Sequence, residues 1–460
     1  MKYQPAVWLF VLLSVSSTYS NAQSYFGLRT DRYAGIHGVL LNPAELGDSR
    51  MAIDVNIASA SGLLSNDYIP LGLSSDFFGN SEKVRKQTRF RNPKTDNRLH
   101  GNLDVVGPSL LLRTGKKSGL AFITRLRGLY HIDNFSGPLL EGIQDDFAAL
   151  SAFDVDMSDY RSFLHTYLEA GVSYGRVISR GSRSQIKTGG SIKYLRGVGA
   201  SFTRSESLTG NYDVPIGRIY LDGDFLYGTT ANYEYDQIPL DDLSGGFGVD
   251  LGVSYEWWSK DLTDSPYLPP YRLKLGASIT DIGGIKYENT SMSTYPVNRF
   301  LRTDRIEGMA IEYILEENYT GTKSTSTVRA GLPTSLNLMA DLRVAGKLYI
   351  SGVLNRSLRS RKELHVSSFP AVVAVTPRLQ TKILGLYTPV VFSGQSGPTV
   401  GAGLRFWLIT VGSSSVLSDL VLSGNPYSTD VYVGTKLPFY RRTKPKKKDL
   451  VAPRVPSSAS

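Results

Sequence analysis

In the stretch Gly246-Phe-Gly-Val-Asp-Leu-Gly-Val-Ser-Tyr-Glu-Trp-Trp258, the side chains of Phe247, Val249, Leu251, Val253, Tyr255 and Trp257 fall on one strand face. Gly248, Asp250, Gly252, Ser254 and Glu256 fall on the other. A strict period of two describes a β-strand with one apolar and one polar face. The eleven residues Phe247 to Trp257 rise about 36 Å when extended. A tilt of roughly 40° lowers that span to about 28 Å, the height of the apolar belt of an outer-membrane barrel. Tyr255, Trp257 and Trp258 stand at one end, where such a barrel carries an aromatic girdle.

The same period recurs from Met51 almost to the end of the chain. Ile53, Val55 and Ile57 alternate with Asp54 and Asn56, and Leu120, Phe122 and Leu126 alternate with Ala121, Ile123, Arg125 and Arg127. Leu168, Ala170, Val172 and Tyr174 form a third apolar row, and Leu273, Leu275, Ala277 and Ile279 oppose Arg272, Lys274, Ser278 and Thr280. Val400, Ala402, Leu404, Phe406 and Leu408 form a late row. Gly115-Lys-Lys-Ser118, Arg180-Gly-Ser-Arg183 and Ala345-Gly346 read as hairpin turns. These rows predict an all-β fold, an antiparallel transmembrane barrel of about 14 strands. Between 200 and 245 the pattern fits one long strand or two short ones.

A secreted β-sandwich or propeller also alternates apolar with polar residues. Here the polar rows carry Arg125, Arg127, Lys187, Lys193, Asp250, Glu256, Arg272 and Lys274 among glycines. A charged interior behind a lipid-facing surface fits that pattern.

The chain begins with Lys2, the apolar run Ala6 to Leu13, and small residues ending in Ser20-Asn-Ala22. This is the pattern of a secretory signal peptide over residues 1–22, with Gln23 as the mature N-terminus. No cysteine is present, so disulfides and thiolate metal sites are excluded. The formal charge of +10 falls to +9 without Lys2, and part of the excess sits in Arg441-Arg-Thr-Lys-Pro-Lys-Lys-Lys448. Residues 441–460 read as a basic disordered tail. Export argues against a nucleic-acid partner. The charge instead suits anionic outer-membrane lipid or an acidic cell-envelope protein.

Segments 60–101, 132–164 and 284–325 break the strand period and read as outward loops. Within the second, Leu140, Ile143, Phe147 and Leu150 have helical spacing. That helix is expected to pack on neighbouring loops, with a lid on the barrel mouth as the alternative.

Tyr25-Phe-Gly-Leu-Arg-Thr-Asp-Arg-Tyr-Ala-Gly-Ile-His-Gly-Val-Leu-Leu-Asn-Pro-Ala44 precedes the first strand. Its ending, Asn42-Pro43-Ala44, resembles the plug segment of long-chain fatty-acid transporter barrels and of the type-nine-secretion shuttle barrels of Bacteroidota. Gly246 to Tyr255 is similar to the glycine-rich strand of that superfamily, and Leu275-Gly-Ala-Ser-Ile-Thr-Asp-Ile-Gly283 to its strand-to-turn signature. The layout of residues 24–440 most resembles an uncharacterised Bacteroidota outer-membrane barrel family. The resemblance implies a plug over 23–48 inside a barrel over 49–440, in the cell outer membrane. Arg29, Asp31 and Arg32 and the charged polar rows depart from the fatty-acid transporter pattern. Physically, Asn before Pro favours an extended or turning backbone, which suits a chain leaving a plug for the wall.

Catalysis has little support. The five histidines, His37, His100, His131, His165 and His365, lack the close spacing of a zinc site, and no Gly-x-Ser-x-Gly elbow occurs. No cofactor or metal and no enzymatic activity is expected. Arg125, Arg127, Lys187, Lys193, Asp250, Glu256, Arg272 and Lys274 are the candidate lumen-lining residues. They either impose a transverse field that selects solutes or pair with one another in a filled interior. The expected function is a passive conduit, or a binding and shuttling barrel, for a small lipid-like or other solute, and the expected ligand partner is small and hydrophobic or anionic. The alternative is a non-transporting partner of a secretion or surface-assembly machine.

Overall fold

The structure, a computed structural model, describes residues 25–68, 96–144, 147, 150–214, 217–230, 243–259, 271–306, 311–394, 396–421 and 427–440. The expected signal peptide and the basic tail lie outside the described residues. Among those residues the chain forms β1 (Met51–Asn66), β2 (Asn97–Val106), β3 (Ser109–Leu112), β4 (Ser118–Phe135), β5 (Phe153–Met157), β6 (Tyr160–Arg180) and β7 (Ser184–Ser205). Next come β8 (Leu208–Asp213), β9 (Arg218–Thr229), β10 (Ser244–Trp257), β11 (Leu273–Arg302), β12 (Thr322–Gly331), β13 (Ser335–Ala345) and β14 (Leu348–Ser357). The last are β15 (Val372–Gln380), β16 (Leu384–Tyr387), β17 (Val390–Phe392), β18 (Thr399–Val400), β19 (Ala402–Phe406), β20 (Ile409–Ser413) and β21 (Ser428–Tyr440).

Each wall strand pairs antiparallel with its neighbours, and β1 pairs with both β2 and β21, so the sheet closes. The wall has 14 positions, because several hold two short strands in line. Gly107-Pro108 interrupts β2/β3, Leu332-Pro333-Thr334 interrupts β12/β13, and Thr388-Pro389 interrupts β16/β17. Proline has no N–H to give to the ladder, so it falls at the breaks. Between 200 and 245 the described residues hold two shorter strands, β8 and β9, after the end of β7, and β10 begins only at Ser244. Two strands, β9 and β10, occupy one wall position: the upper and lower parts of β11 pair with them in turn, as do those of β7.

Large apolar side chains line the outside. Phe122, Val172, Ile192, Phe247 and Leu251 are all exposed, Ile192 to 67% and Phe247 to 66%. A continuous apolar surface of this kind belongs in lipid. Tyr174, Tyr255, Trp407 and Phe439 are exposed toward the end with the short turns, while Tyr194 and Phe247 pack with tilted rings, centroids 5.6 Å apart, toward the other. Trp258 is not part of the girdle. It lies on the opposite strand parity from Trp257 and is buried with Tyr271 and Tyr349.

Two expectations about the strands are corrected. The segments assigned to loops hold wall strand at their described ends: β1 runs to Asn66, β4 to Phe135 and β11 to Arg302, while β12 starts at Thr322, and residues 69–95 of the first segment lie outside the described residues. Above the lipid the outward positions become polar, as at Lys286 and Glu288 in β11, and the apolar period disappears although the strand continues. The late row from Val400 to Leu408 is cut by a turn at Trp407, with φ of 50°, between β19 and β20. The expected helix spans Gly137–Gln144 and packs Leu140 and Ile143 against an apolar cluster shared with Phe147, Tyr212, Phe225 and Leu301.

Candidate functional site

Residues 25–49 fold inward as two turns, a short α-helix (Ile36–Leu41) and a 3-10 helix (Pro43–Asp48). Tyr25, Leu28, Ile36, Ala44 and Leu46 are all fully buried. The segment bonds to the inward faces of strands around the wall.

The Asn42-Pro43-Ala44 motif is its anchor. Asn42 Oδ1 accepts a hydrogen bond from the Ala44 N–H at 3.0 Å, capping the 3-10 helix that Pro43 starts. Asn42 Nδ2 donates to the carbonyls of Val253 (2.9 Å) and Ala277 (3.3 Å), on the adjacent strands β10 and β11. An amide supplies an acceptor and two N–H donors at once, whereas a hydroxyl has a single donor.

Beneath the motif lies a belt of glycine. Gly119, Gly175, Gly189 and Gly252 pair directly across four neighbouring strands, and Ser278, Asn337 and Asn355 continue the row. A Cβ at Gly189 would run into the backbone of Pro43 and Ala44, and one at Gly175 would lie 2.7 Å from the Pro43 carbonyl oxygen. At Gly119 it would lie 2.6 Å from the carbonyl oxygen of Leu46, and at Gly252 it would overlap the Asn42 amide. Ser278 Oγ donates to the Leu41 carbonyl at 2.6 Å. The wall has thus given up side chains where the segment sits.

Charges complete the seat in two groups. Near the 3-10 helix, Lys187 Nζ lies 3.0 Å from Asp48 and 2.8 Å from Glu256, Gln185 donates to both of those carboxylates, and Lys274 lies 3.1 Å from Glu45. Higher up, Arg125 grips Asp104 through two hydrogen bonds of 2.6 and 2.7 Å, and Arg29 reaches the same carboxylate at 3.5 Å. Arg127 and Lys193 both bond Asp281 at 2.7 Å, and Lys193 also meets Asp250 at 2.8 Å and Glu169 at 3.5 Å. Four cations thus face four carboxylates, so the group carries no net formal charge. On the far wall, Asp31 accepts from Tyr387 and pairs with Arg405 at 3.1 Å, while Thr30 accepts from Arg378, itself bonded to Asp341.

Burial pushes the Asp48 carboxyl up, but Lys187 and Arg50 outweigh it and hold the group well below the usual carboxylate range. Asp31 and Glu45 are lowered in the same way, against burial, by Arg405 and Arg378 and by Lys187 and Lys274 respectively. Burial and the Lys436 cation push the His37 imidazole down to about 3, so it is neutral and meets Ser59 Oγ at 3.1 Å.

Of the candidate lumen residues, Arg125, Arg127, Lys187, Lys193, Asp250, Glu256 and Lys274 come together inside. Arg272 does not. It precedes β11, is exposed at the rim, and donates to the carbonyls of Arg343 and Val344. Alternation with Lys274 fails there because the strand begins only at Leu273. Asp48, Glu45, Gln185, Asp104, Glu169 and Asp281 were missed as members of the site. Asp104 is signalled by alternation with Leu103 and Val105, whereas Asp281, at φ of 61°, sits just past an irregularity in β11.

Above these charges the interior is apolar. Leu129, Phe163, Tyr167, Leu195, Phe202, Tyr287, Leu332 and Phe369 pack as one buried cluster. Between it and the charges lies a cavity of about 30 Å³ bounded by Arg29, Arg127, Lys193, Asp281 and Phe369, room for about one water.

Among solved structures, the chain is similar to the Ralstonia pickettii toluene transporter TbuX, at 10% identity over 89% of this chain and 95% of that one, with a TM-score of 0.43. It is also similar to the Pseudomonas putida toluene transporter TodX, at 9% identity over 91% and 93%, TM-score 0.40. A Pseudomonas aeruginosa FadL homologue matches at 10% identity over 91% and 97%, TM-score 0.38. The barrel assignment stands on the closed ring of pairings and not on these likenesses. No curated protein matches the sequence. The model of a family of unknown function, DUF5723, matches residues 43–413, from the Pro43 anchor through β20, and the chain belongs to that family.

Proposed function

We propose that this protein is an outer-membrane barrel that passes a small lipid-like solute, drawn here in its closed state with residues 25–49 as the plug. The observation that carries this reading is the glycine belt. A barrel filled only for strength would fill itself with wall side chains. This wall instead leaves space at Gly119, Gly175, Gly189 and Gly252 and fills it with a separate segment held by hydrogen bonds and ion pairs. Withdrawal of that segment clears the level of the glycine belt without unfolding the wall, and passage then requires the apolar cluster above it to part. The apolar cluster from Leu129 to Phe369 suits a hydrophobic solute rather than an ion. Membership of the Bacteroidota shuttle-barrel superfamily, and transport without enzymatic chemistry, are parts of the same reading, supported by Asn42-Pro43-Ala44.

The chain has no cysteine, so a single engineered pair can lock the plug. Leu41 packs on Met339 of β13. The double variant Leu41→Cys, Met339→Cys is expected to show conductance steps in planar bilayers when reduced and none when oxidised. Deletion of residues 23–48 should give steps under both conditions. Silence from a well-folded deletion variant would instead favour the second reading, a non-transporting partner in secretion or surface assembly. That reading draws on the filled interior and the apolar cap around Phe147 and Leu301.

A further inference from the structure

The lipid-facing wall is not uniformly convex. Val105, Leu126, Leu168 and Arg196 pair in one transverse row across β2, β4, β6 and β7. Two residues toward the short-turn end of the strands, Thr124, Ala170 and Tyr194 form the next row, with the Gly107 N–H bonded to the Thr124 carbonyl. A further two residues along, Phe122, Val172 and Ile192 form a third row, all large and exposed.

Thr124 and Ala170, small side chains between bulky rows on either side and beside the larger Tyr194, make a trough. Its open volume is about 340 Å³, and its lining includes Val105, Thr124, Leu126, Leu168, Ala170 and Arg196. The Gly107-Pro108 break removes one more side chain from the floor. The polar atom of the floor is already satisfied, since Thr124 Oγ1 donates to the Pro108 carbonyl at 3.0 Å. Because strands in such walls tilt by roughly 40°, the trough runs oblique to the membrane normal.

One end of the trough is charged. Arg196 Nη1 donates to the Tyr194 hydroxyl at 3.3 Å, and no carboxylate among the described residues pairs with this guanidinium. An arginine on a lipid-facing row is costly unless its head reaches the interface and finds an anion. Arg196 lies toward the end with the long loops, which in barrels of this type faces outward.

We propose that this trough is a binding site for a phosphate-bearing lipid of the outer leaflet, with an acyl chain lying over Thr124 and Ala170 and its phosphate on Arg196 and Tyr194. Guanidinium suits the phosphate because it presents several N–H donors in one plane. The apolar walls take the chain. The inference rests on the membrane-barrel assignment alone and is independent of whether the lumen conducts.

The test uses the full mature chain in detergent micelles titrated with lipid A, with bound lipid counted by native mass spectrometry. Heat-modifiable gel mobility reports folding. The wild-type protein should retain one lipid A at concentrations where Arg196→Gln retains about tenfold less, the loss of one charge-assisted contact. Ala170→Phe, which fills the trough, should also lose retention, with Thr124→Leu as a milder filler should the first variant fold poorly. Arg176→Gln, an outward arginine near the opposite end of β6, should change nothing. Dephosphorylated lipid A should bind like the Arg196→Gln variant. Equal retention by Arg196→Gln and wild type, an equal loss in Arg176→Gln, or complete displacement of the lipid by equimolar inorganic phosphate would each overturn the proposal.

Discussion

Lys187 and Asp48 meet at 3.0 Å across the boundary between the wall and the inward-folded segment 25–49, and Lys187 at the same time neutralises Glu256 of the adjacent strand at 2.8 Å. One wall cation thus serves one carboxylate of the wall and one of the segment proposed as the plug. Lys187→Met strands both acids in a buried site, a loss on the order of 3–5 kcal/mol. Because Glu256 remains in the wall, the cheaper relief is ejection of Asp48 and the segment attached to it. The expected outcome is faster tryptic cleavage at Arg29 and Arg32 in the folded barrel, read by mass spectrometry, with the heat-modifiable gel shift retained.

Gly189→Ala places a methyl group against the Pro43 and Ala44 backbone, which cannot rotate away. Overpacking of this kind costs about 1–3 kcal/mol. Gly62 meets nothing within 4 Å of a built Cβ, so Gly62→Ala is the matched control. Planar-bilayer recordings should show more frequent opening for Gly189→Ala and wild-type behaviour for Gly62→Ala.

Docking of the plug should depend on acid and not on base. Asp31, Glu45 and Asp48 all have carboxyl pKa values lowered in the docked state, by Arg405 and Arg378, by Lys187 and Lys274, and by Lys187 and Arg50, each acting against burial. A lowered pKa stabilises docking fully above the undocked carboxylate value of about 4 and loses that contribution as pH falls through the docked value. His37 adds a proton-driven push of the same sign, since its docked value near 3 lies far below that of a free imidazole. Open probability is therefore expected to be flat on the alkaline side of His37's free value and to rise on acidification, most steeply below about pH 4. A rise on the alkaline side would contradict this account.

Ile192 is 67% exposed in the middle of the outward apolar surface. On a water-facing strand Ile192→Arg would be nearly neutral, whereas at the midplane of a lipid-facing wall it costs about 2–4 kcal/mol. Equilibrium unfolding from phosphatidylcholine vesicles distinguishes the two. The matching substitution at exposed Lys286, Lys286→Arg, should leave stability unchanged.

Much of the wall was legible because lipid on one side and polar groups on the other impose a period of two on every residue between. Phe247 to Trp257, Leu168 to Tyr174 and Ile53 to Ile57 show it directly. Legibility ended where that contrast ended. Above the lipid, β11 continues through Lys286 and Glu288 with polar groups outside, and the same backbone geometry leaves no hydropathy signal. At Arg272 and Trp258 the period was extended past the strand end, where the neighbouring backbone and not alternation sets direction.

By itself, the sequence determined the strand faces, the inward placement of Arg125, Lys187, Lys193, Asp250 and Glu256, and the special character of Asn42-Pro43-Ala44, because each is a local consequence of period or of proline geometry. Only the tertiary structure decided what these residues meet. The glycine belt exists because register aligns Gly119, Gly175, Gly189 and Gly252, residues spread over more than a hundred positions, and register is a property of pairs of strands. In the same way it took closure of the ring to show that Arg29, Arg125, Arg127 and Lys193 face Asp104, Glu169, Asp250 and Asp281, deciding between a selective field and a mutually paired interior in favour of pairing.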